Sequence, residues 1–260
     1  MKKIISALVS LYFLAMGYLY FTQEAQIFPA SSIEKEQIPT VPNSEKIALH
    51  VNAEVVLQGV LRKDEKSDAG LLLYFGGNAD DATLFSSYVK ELKGYDIVSF
   101  NYRGYGDSSG KPSEQALFED ALRIYDIYAK GRKVVLAGRS LGSGVATYVA
   151  SKRESVGLVL ITPYDSIVSM GQQKYPYFPI AWLLKHSFET VRYIQAVRVP
   201  IAIIEVENDL TIPRFHLEKL LATLPKPPYH ITLSNTTHGD VLKHPNFTYE
   251  LQTLLGKIDE

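Results

Sequence analysis

The stretch VVLAGRSLGSGVATYVA, Val134–Ala150, runs as β-branched and apolar residues, breaks at Gly138-Arg139-Ser140-Leu141-Gly142, and resumes at helical spacing. A serine at such a break either caps a helix or stands as a nucleophile on a sharp strand-to-helix turn. The G-x-S-x-G spacing favours the nucleophile, because small residues two before and two after it let neighbouring chains pack around a strained turn. The Ser140 hydroxyl then points off the end of the sheet. The Leu141 amide, at a helix N-terminus, faces an incoming oxyanion.

A serine hydroxyl attacks poorly until a base takes its proton and a carboxylate orients that base. On a turn of this kind the partners follow in the chain order serine, acid, histidine. His238 in SNTTHGD and His244 six residues on are the candidate bases. Asp209, in a turn after the apolar run VPIAIIEVEN, is the preferred acid, with Asp165 in TPYDS as the alternative. The neighbours of Asp165 suit a structural hydrogen bond better. His50, His186, His216 and His230 fall in strands, helices or an inserted segment and are assigned to packing or the surface. Glu207 is placed inside a strand, Asp107 in a loop-organising role, and Asp240 too close after His238 to orient it.

The elements that must position these groups alternate along the chain. KIALHV and EVVLQGVLR read as an antiparallel pair. GLLLYFGGNAD, YDIVSFNYRGYGDSSG, KVVLAG, SVGLVLITPYDS, VPIAIIEVEND and PPYHITLSN read as further strands, most of them apolar throughout. ATLFSSYVKELKG has helical spacing at Leu84, Tyr88 and Leu92. SEQALFEDALRIYDIYAKG is amphipathic, with Ser113 as N-cap and Gly131 beyond its end. FTYELQTLLGKI reads as a closing helix. Apolar strands alternating with helices predict an α/β fold with a mostly parallel sheet covered on both faces. Ligands in such sheets bind beyond the carboxyl ends of the strands. The segments of interest are therefore 76–79, 101–109, 139–141, 162–166, 208–211 and 234–240.

Together, TQEAQIFPA, YFGGNADD, NYRGYGDSSGKPSE, AGRSLGSGVA, ITPYDSI, ENDLTIP and THGD resemble the membrane-anchored Bem46/ABHD13-like serine hydrolases of the α/β-hydrolase superfamily. The resemblance runs over nearly the whole chain and implies the α/β-hydrolase fold with a small helical cap. Its terminal His-Gly pattern favours His238 over His244 as the base, beside Ser140 and Asp209. It also implies that the Asn78 amide, in the loop after the third strand, is the second oxyanion donor with Leu141. Gly76 stands where many relatives have histidine, which changes local packing without affecting a backbone donor. The activity expected is cleavage of a small-molecule carboxylic ester or thioester through an acyl-enzyme. A peptidase or amidase of the same fold, or a membrane-tethered binding protein without catalysis, are the alternatives. No metal and no cofactor is implied.

The N-terminus begins with Lys2 and Lys3 and then runs uncharged from Ile4 to Phe21. As a helix this run is about 27 Å long, enough to approach the roughly 30 Å of a bilayer core. Tyr18, Tyr20 and Phe21 lie at its far end, where aromatic rings favour the interface. The lysines stay cytoplasmic, which puts the remaining chain on the extracytoplasmic, periplasmic side. A cleaved signal peptide, with Ala30–Ser32 as a distant cleavage region, is the competing expectation. Residues 1–24 are thus assigned to the anchor, 25–43 to a Pro-containing linker and 44–260 to the hydrolase domain. A cap insertion is expected at about 166–198, rich in aromatics and carrying Trp182.

The 260 residues are 46% hydrophobic and 21% charged, with a net charge of −1. That balance gives no general attraction to nucleic acid or anionic lipid. There is no cysteine, which excludes disulfides, zinc–thiolate sites, thiol catalysis and cysteine lipidation. Nothing in the pattern sets an oligomeric state. Asn235-Thr236-Thr237 and Asn246-Phe247-Thr248 fit the glycosylation pattern, but a glycan beside His238 would obstruct catalysis.

Overall fold

The computed structural model describes residues 1–30 and 41–260; most of the expected linker lies outside the described residues. Its centre is an eight-stranded sheet in the order β1-β2-β4-β3-β5-β6-β7-β8. The strands are β1 (Ser44–His50), β2 (Val56–Arg62), β3 (Gly70–Phe75), β4 (Tyr95–Phe100), β5 (Val134–Arg139), β6 (Gly157–Ile161), β7 (Ile201–Val206) and β8 (Tyr229–Leu233). β1 pairs antiparallel with β2, Ser44 opposite Arg62, and β2 pairs antiparallel with β4. From β4 to β8 every pairing is parallel. The mostly parallel sheet read from the apolar strands is therefore present. It carries the antiparallel edge expected of KIALHV and EVVLQGVLR.

Alternation within the strands explains the two cores. Leu71, Leu73 and Phe75 of β3 join one buried cluster, and Leu72 and Tyr74 join the other. Helices α3 (Glu114–Tyr128) and α4 (Leu141–Ala150) cover the first face; α9 (Phe247–Asp259) packs on the second. A strand with helices on both sides buries both sets of side chains, so it reads as continuously apolar. Ser113 caps α3, its side chain accepting from the Ala116 amide at 3.2 Å.

Two elements depart from the reading above. The helix expected over ATLFSSYVKELKG is only a 3-10 turn at Ala82–Leu84 followed by α2 (Phe85–Tyr88). Arg62, buried at the end of β2, explains the early stop: its guanidinium donates to the Val89 carbonyl at 2.6 Å and the Leu92 carbonyl at 2.7 Å. Those carbonyls are thus engaged by a side chain rather than by a continuing helix. Glu207 lies just past the end of β7, not inside it, and the in-strand acid is Glu205.

The N-terminal helix α1 (Lys2–Ile27) is long and apolar enough to cross a membrane. It continues beyond Glu24 to Ile27, where Gln23, Ile27 and Phe28 are buried against the rest of the chain. Between β6 and β7 stand α5 (Ile167–Lys174), α6 (Ile180–Leu183) and α7 (Thr190–Tyr193), and α8 (Arg214–Leu221) follows β7. α1 lies against this insertion. Gln23 donates to the Leu183 carbonyl at 3.0 Å and accepts from the Lys185 amide at 2.7 Å.

Candidate active site

Ser140 sits between β5 and α4 with φ 50° and ψ −120°. That region is unfavourable for a residue with a Cβ and costs on the order of 1–3 kcal/mol. The strain is held by packing. A methyl group on Gly138 would overlap the Gly142 carbonyl, and one on Gly142 would overlap the Phe75 carbonyl, so neither position has room for a side chain. The Ser140 amide donates to the Ile161 carbonyl of β6 at 2.9 Å, which pins the turn to the neighbouring strand.

His238, in the loop after β8, places Nε2 2.9 Å from the Ser140 hydroxyl. Its Nδ1 lies 2.7 Å from the Asp209 carboxylate, in the loop after β7. The other Asp209 oxygen accepts from the Thr211 and Ile212 amides at 2.9 and 2.8 Å, so the carboxylate cannot swing away freely. Ser140, Asp209 and His238 thus meet at one end of the sheet in a continuous hydrogen-bonded line. All three are largely buried.

Asn78 and Leu141 line the same cavity as Ser140. The loop carrying Asn78 is fixed from several sides. Tyr102 donates its hydroxyl to the Gly76 carbonyl at 2.9 Å, and the Gly77 amide donates to Asp80 at 2.7 Å.

The other carboxylates and histidines lie elsewhere. Asp165 pairs with His216, not with His238. His244 accepts from the Asn246 amide at 3.2 Å. Asp240 accepts from the Thr237 hydroxyl. Burial pushes His186 below its ordinary value, and its ring meets Phe28 edge-on.

Two contributions had not been expected. The first is Arg139, buried beside Ser140, which ion-pairs with Asp80 and donates to the His238 carbonyl. It thereby ties the loop of Asn78 to the loop of His238 across the end of β5. Burial pulls the guanidinium down, but the charges of Asp80 and Asp209 and the Asp80 hydrogen bond hold it above its ordinary value. A charged residue beside a buried serine, with two aspartates in GGNADD to receive it, was the available signal.

The second is α1. A cavity of about 650 Å³ opens over Ser140, and Leu19, Gln23, Gln26 and Ile27 form part of its wall. Their spacing of four, three and one places them on one helical face. Opposite them stand Met170 of α5 and Ile180, Leu183 and Leu184 in and just after α6. Among the described residues, Lys174 is the only charged side chain on the wall, and none of them lines it with a carboxylate.

Comparison with known proteins agrees with this architecture. The family model of the serine aminopeptidase S33 family (Hydrolase_4) matches residues 66–202. The chain is 30% identical over 229 residues to the lysophosphatidylserine lipase ABHD12 of Mus musculus, taking in 74% of this chain and 57% of that one. It is 28% identical over 241 residues to an uncharacterised membrane protein of Saccharomyces cerevisiae, taking in 86% and 85%. The chain spans less than two thirds of the length of the first curated relatives that it matches. Among solved structures, a membrane phospholipase A described as a bacterial virulence factor superposes with a TM-score of 0.65. It has 18% identity over the full length of both chains, a likeness of fold. With the family model covering more than half of the chain, and with the sheet order and the turn at Ser140 already in hand, the protein belongs to the serine aminopeptidase S33 family of α/β-hydrolases.

Proposed function

We propose that the protein is a serine hydrolase that cleaves carboxylic esters or thioesters through an acyl-enzyme, anchored by α1 with its catalytic domain on the extracytoplasmic side. Ser140 is the nucleophile, His238 the general base and acid, and Asp209 the group that orients His238. His238 takes the hydroxyl proton as the Ser140 oxygen bonds to the acyl carbon. It then gives that proton to the departing alcohol or thiol, and the leaving bond breaks. The tetrahedral oxyanion is held by the Asn78 and Leu141 amides, at the positive end of α4. Water, deprotonated by His238, releases the acid and restores the serine.

The observation that carries this reading is the unbroken Asp209–His238–Ser140 line beneath a cavity, with the serine in a strained turn. The lining favours an acyl ester over the aminopeptidase chemistry in the family's name. An aminopeptidase needs an anion for the substrate's ammonium group. Here the wall is apolar and amide-bearing, with a lysine as its only described charge. Lipases among the relatives and a thioesterase domain among the structural neighbours support the same class. Two lysines at the start of α1, with the positive-inside preference, support the side of the membrane.

A fluorophosphonate that labels active serines should react with the wild-type chain and not with Ser140→Ala, whose turnover of short p-nitrophenyl esters should fall about 10⁶-fold. Equal labelling of the two proteins would overturn the assignment.

A further inference from the structure

The cap contains an uncharged run of its own, Tyr175–Leu184, YPYFPIAWLL, flanked by Lys174 and Lys185. No acidic residue occurs between Asp165 and Glu189. The run comprises the turn after α5, α6 and the residue after it. Two of its four aromatic side chains face outward: Tyr177 is 86% exposed and Trp182 88%. Across the mouth of the cavity, Leu210 is also exposed and lines its edge. Exposed aromatics bracketed by lysines are the composition of a membrane interface, where rings sit among headgroups and lysines reach toward water.

The contacts of α1 give this face a depth. The Tyr12 hydroxyl donates to the Tyr177 carbonyl at 3.0 Å, and the Tyr12 ring stacks on Phe178 at 5.1 Å between centroids. Tyr12 is near the middle of the uncharged run Ile4–Phe21. If α1 crossed hydrocarbon only as far as Leu11, the span would be about 12 Å, less than half of a bilayer core. A crossing helix must therefore carry Tyr12 within the bilayer, and whatever touches Tyr12 goes with it. Higher up, Lys185 pairs with Glu24 at 3.0 Å and stacks over Tyr20, and Tyr175 donates to Gln26. Helix and cap are joined along about four turns, so they enter the membrane as one body.

We propose that the Tyr175–Leu184 face of the cap is seated beside α1 in the leaflet farther from Lys2 and Lys3, and that the substrate is an acyl lipid drawn from that leaflet into the cavity between them. The cavity wall is built from the same two elements, Leu19 and Gln23 on one side and Ile180, Leu183 and Leu184 on the other. An acyl chain entering there exchanges lipid for apolar side chains without crossing water. Lys174, on the wall near the flank of the buried face, suits an anionic headgroup. The substrate half of this inference rests on the ester-hydrolase reading; the seating of the cap does not.

The protein carries its own reporter, because Trp182 is the only tryptophan. In the full chain reconstituted into vesicles of dibrominated phosphatidylcholine, Trp182 emission should be quenched relative to plain phosphatidylcholine vesicles, and aqueous iodide should quench it little. Full iodide quenching with no bromine effect would overturn the seating. Tyr177→Ala/Trp182→Ala should lower kcat/KM for a long-chain ester carried in vesicles about tenfold, while a water-soluble short ester is hydrolysed at the wild-type rate. Retention of full activity on the vesicle-borne ester would overturn the leaflet route. Failure of the serine assignment has a different signature: fluorophosphonate labelling independent of Ser140, with the bromine quenching intact.

Discussion

Among the described residues, the molecule holds a histidine against an aspartate twice. His238 meets Asp209 at 2.7 Å after β7 and β8, and His216 of α8 meets Asp165 at 2.7 Å after β6. The ring-to-carboxylate geometry is the same, yet the two pairs differ in what the second ring nitrogen faces. In the first it faces the Ser140 hydroxyl at 2.9 Å, beneath an open cavity. In the second it faces the Gln173 side-chain oxygen at 2.6 Å, and His216 has no exposed surface at all. A hydroxyl can give up a proton and attack; an amide oxygen cannot. A histidine–aspartate pair is therefore a polarising device with no chemistry of its own, and its third partner decides what it does. The second pair fastens α5 and α8 to the end of β6, bracing the cap that covers the first.

That comparison breaks most visibly at the two acids. Asp209→Asn should lower kcat by about 10⁴, because the amide favours the wrong tautomer of His238 while leaving the turn intact. The loop amides of Thr211 and Ile212 keep an oxygen to bond, so the thermal transition should stay close to wild type. Rate measurements on a short soluble ester beside a melting curve check both. A variant that kept a tenth of wild-type activity would remove Asp209 from the proposed mechanism.

The opposite profile is expected on the other side. Asp165→Ala leaves His216, Lys219 and the Ser166 amide without their common carboxylate, in a place only 4% exposed. Leaving buried polar groups without their hydrogen-bond acceptor costs about 1–3 kcal/mol, so unfolding in urea should shift by that amount. The folded fraction should keep kcat for a short ester within about tenfold, since a displaced brace costs far less than a lost member of the proposed triad. A kcat loss comparable to that of Asp209→Asn would mean that the second pair takes part in the chemistry.

The same contrast explains what could be read from the chain and what could not. Ser140, Asp209 and His238 each follow a strand, and each sits in a short polar or glycine-bearing segment, so their positions at one sheet end followed from the parallel pattern. Ser113 as a cap was equally local. His216 and Asp165 were assigned to packing and to a structural hydrogen bond, but their meeting joins positions 51 apart and has no local pattern. Arg62 ended a helix from a strand 27 residues earlier, which no window on ATLFSSYVKELKG contains. The role of α1 was hidden by its composition, because an apolar helix reads as an anchor whichever face it shares. Its clue was Gln23, Glu24 and Gln26 following an apolar run. Polar groups there needed partners, and Gln23 and Glu24 found them in Leu183 and Lys185.

The smallest effect sharpens the comparison from the surface inward. Lys219 also approaches Asp165, with Nζ 3.7 Å from Oδ2, and it bonds the Ser169 hydroxyl at 3.0 Å. Its side chain is 48% exposed, against none for His216. An ion pair that open to water, and that long, is worth under about 1 kcal/mol, because solvent screens the charges and the lysine loses rotamer freedom. Lys219→Met keeps the aliphatic stem and removes only the charge, so the thermal midpoint should fall by no more than about 4 °C. A shift as large as that of Asp165→Ala would make the lysine the main partner of Asp165. The likeness between the two histidine–aspartate pairs would then be geometric only. A small shift leaves His216 as the partner that holds Asp165, and makes the second pair the energetic counterpart of the one beneath the cavity.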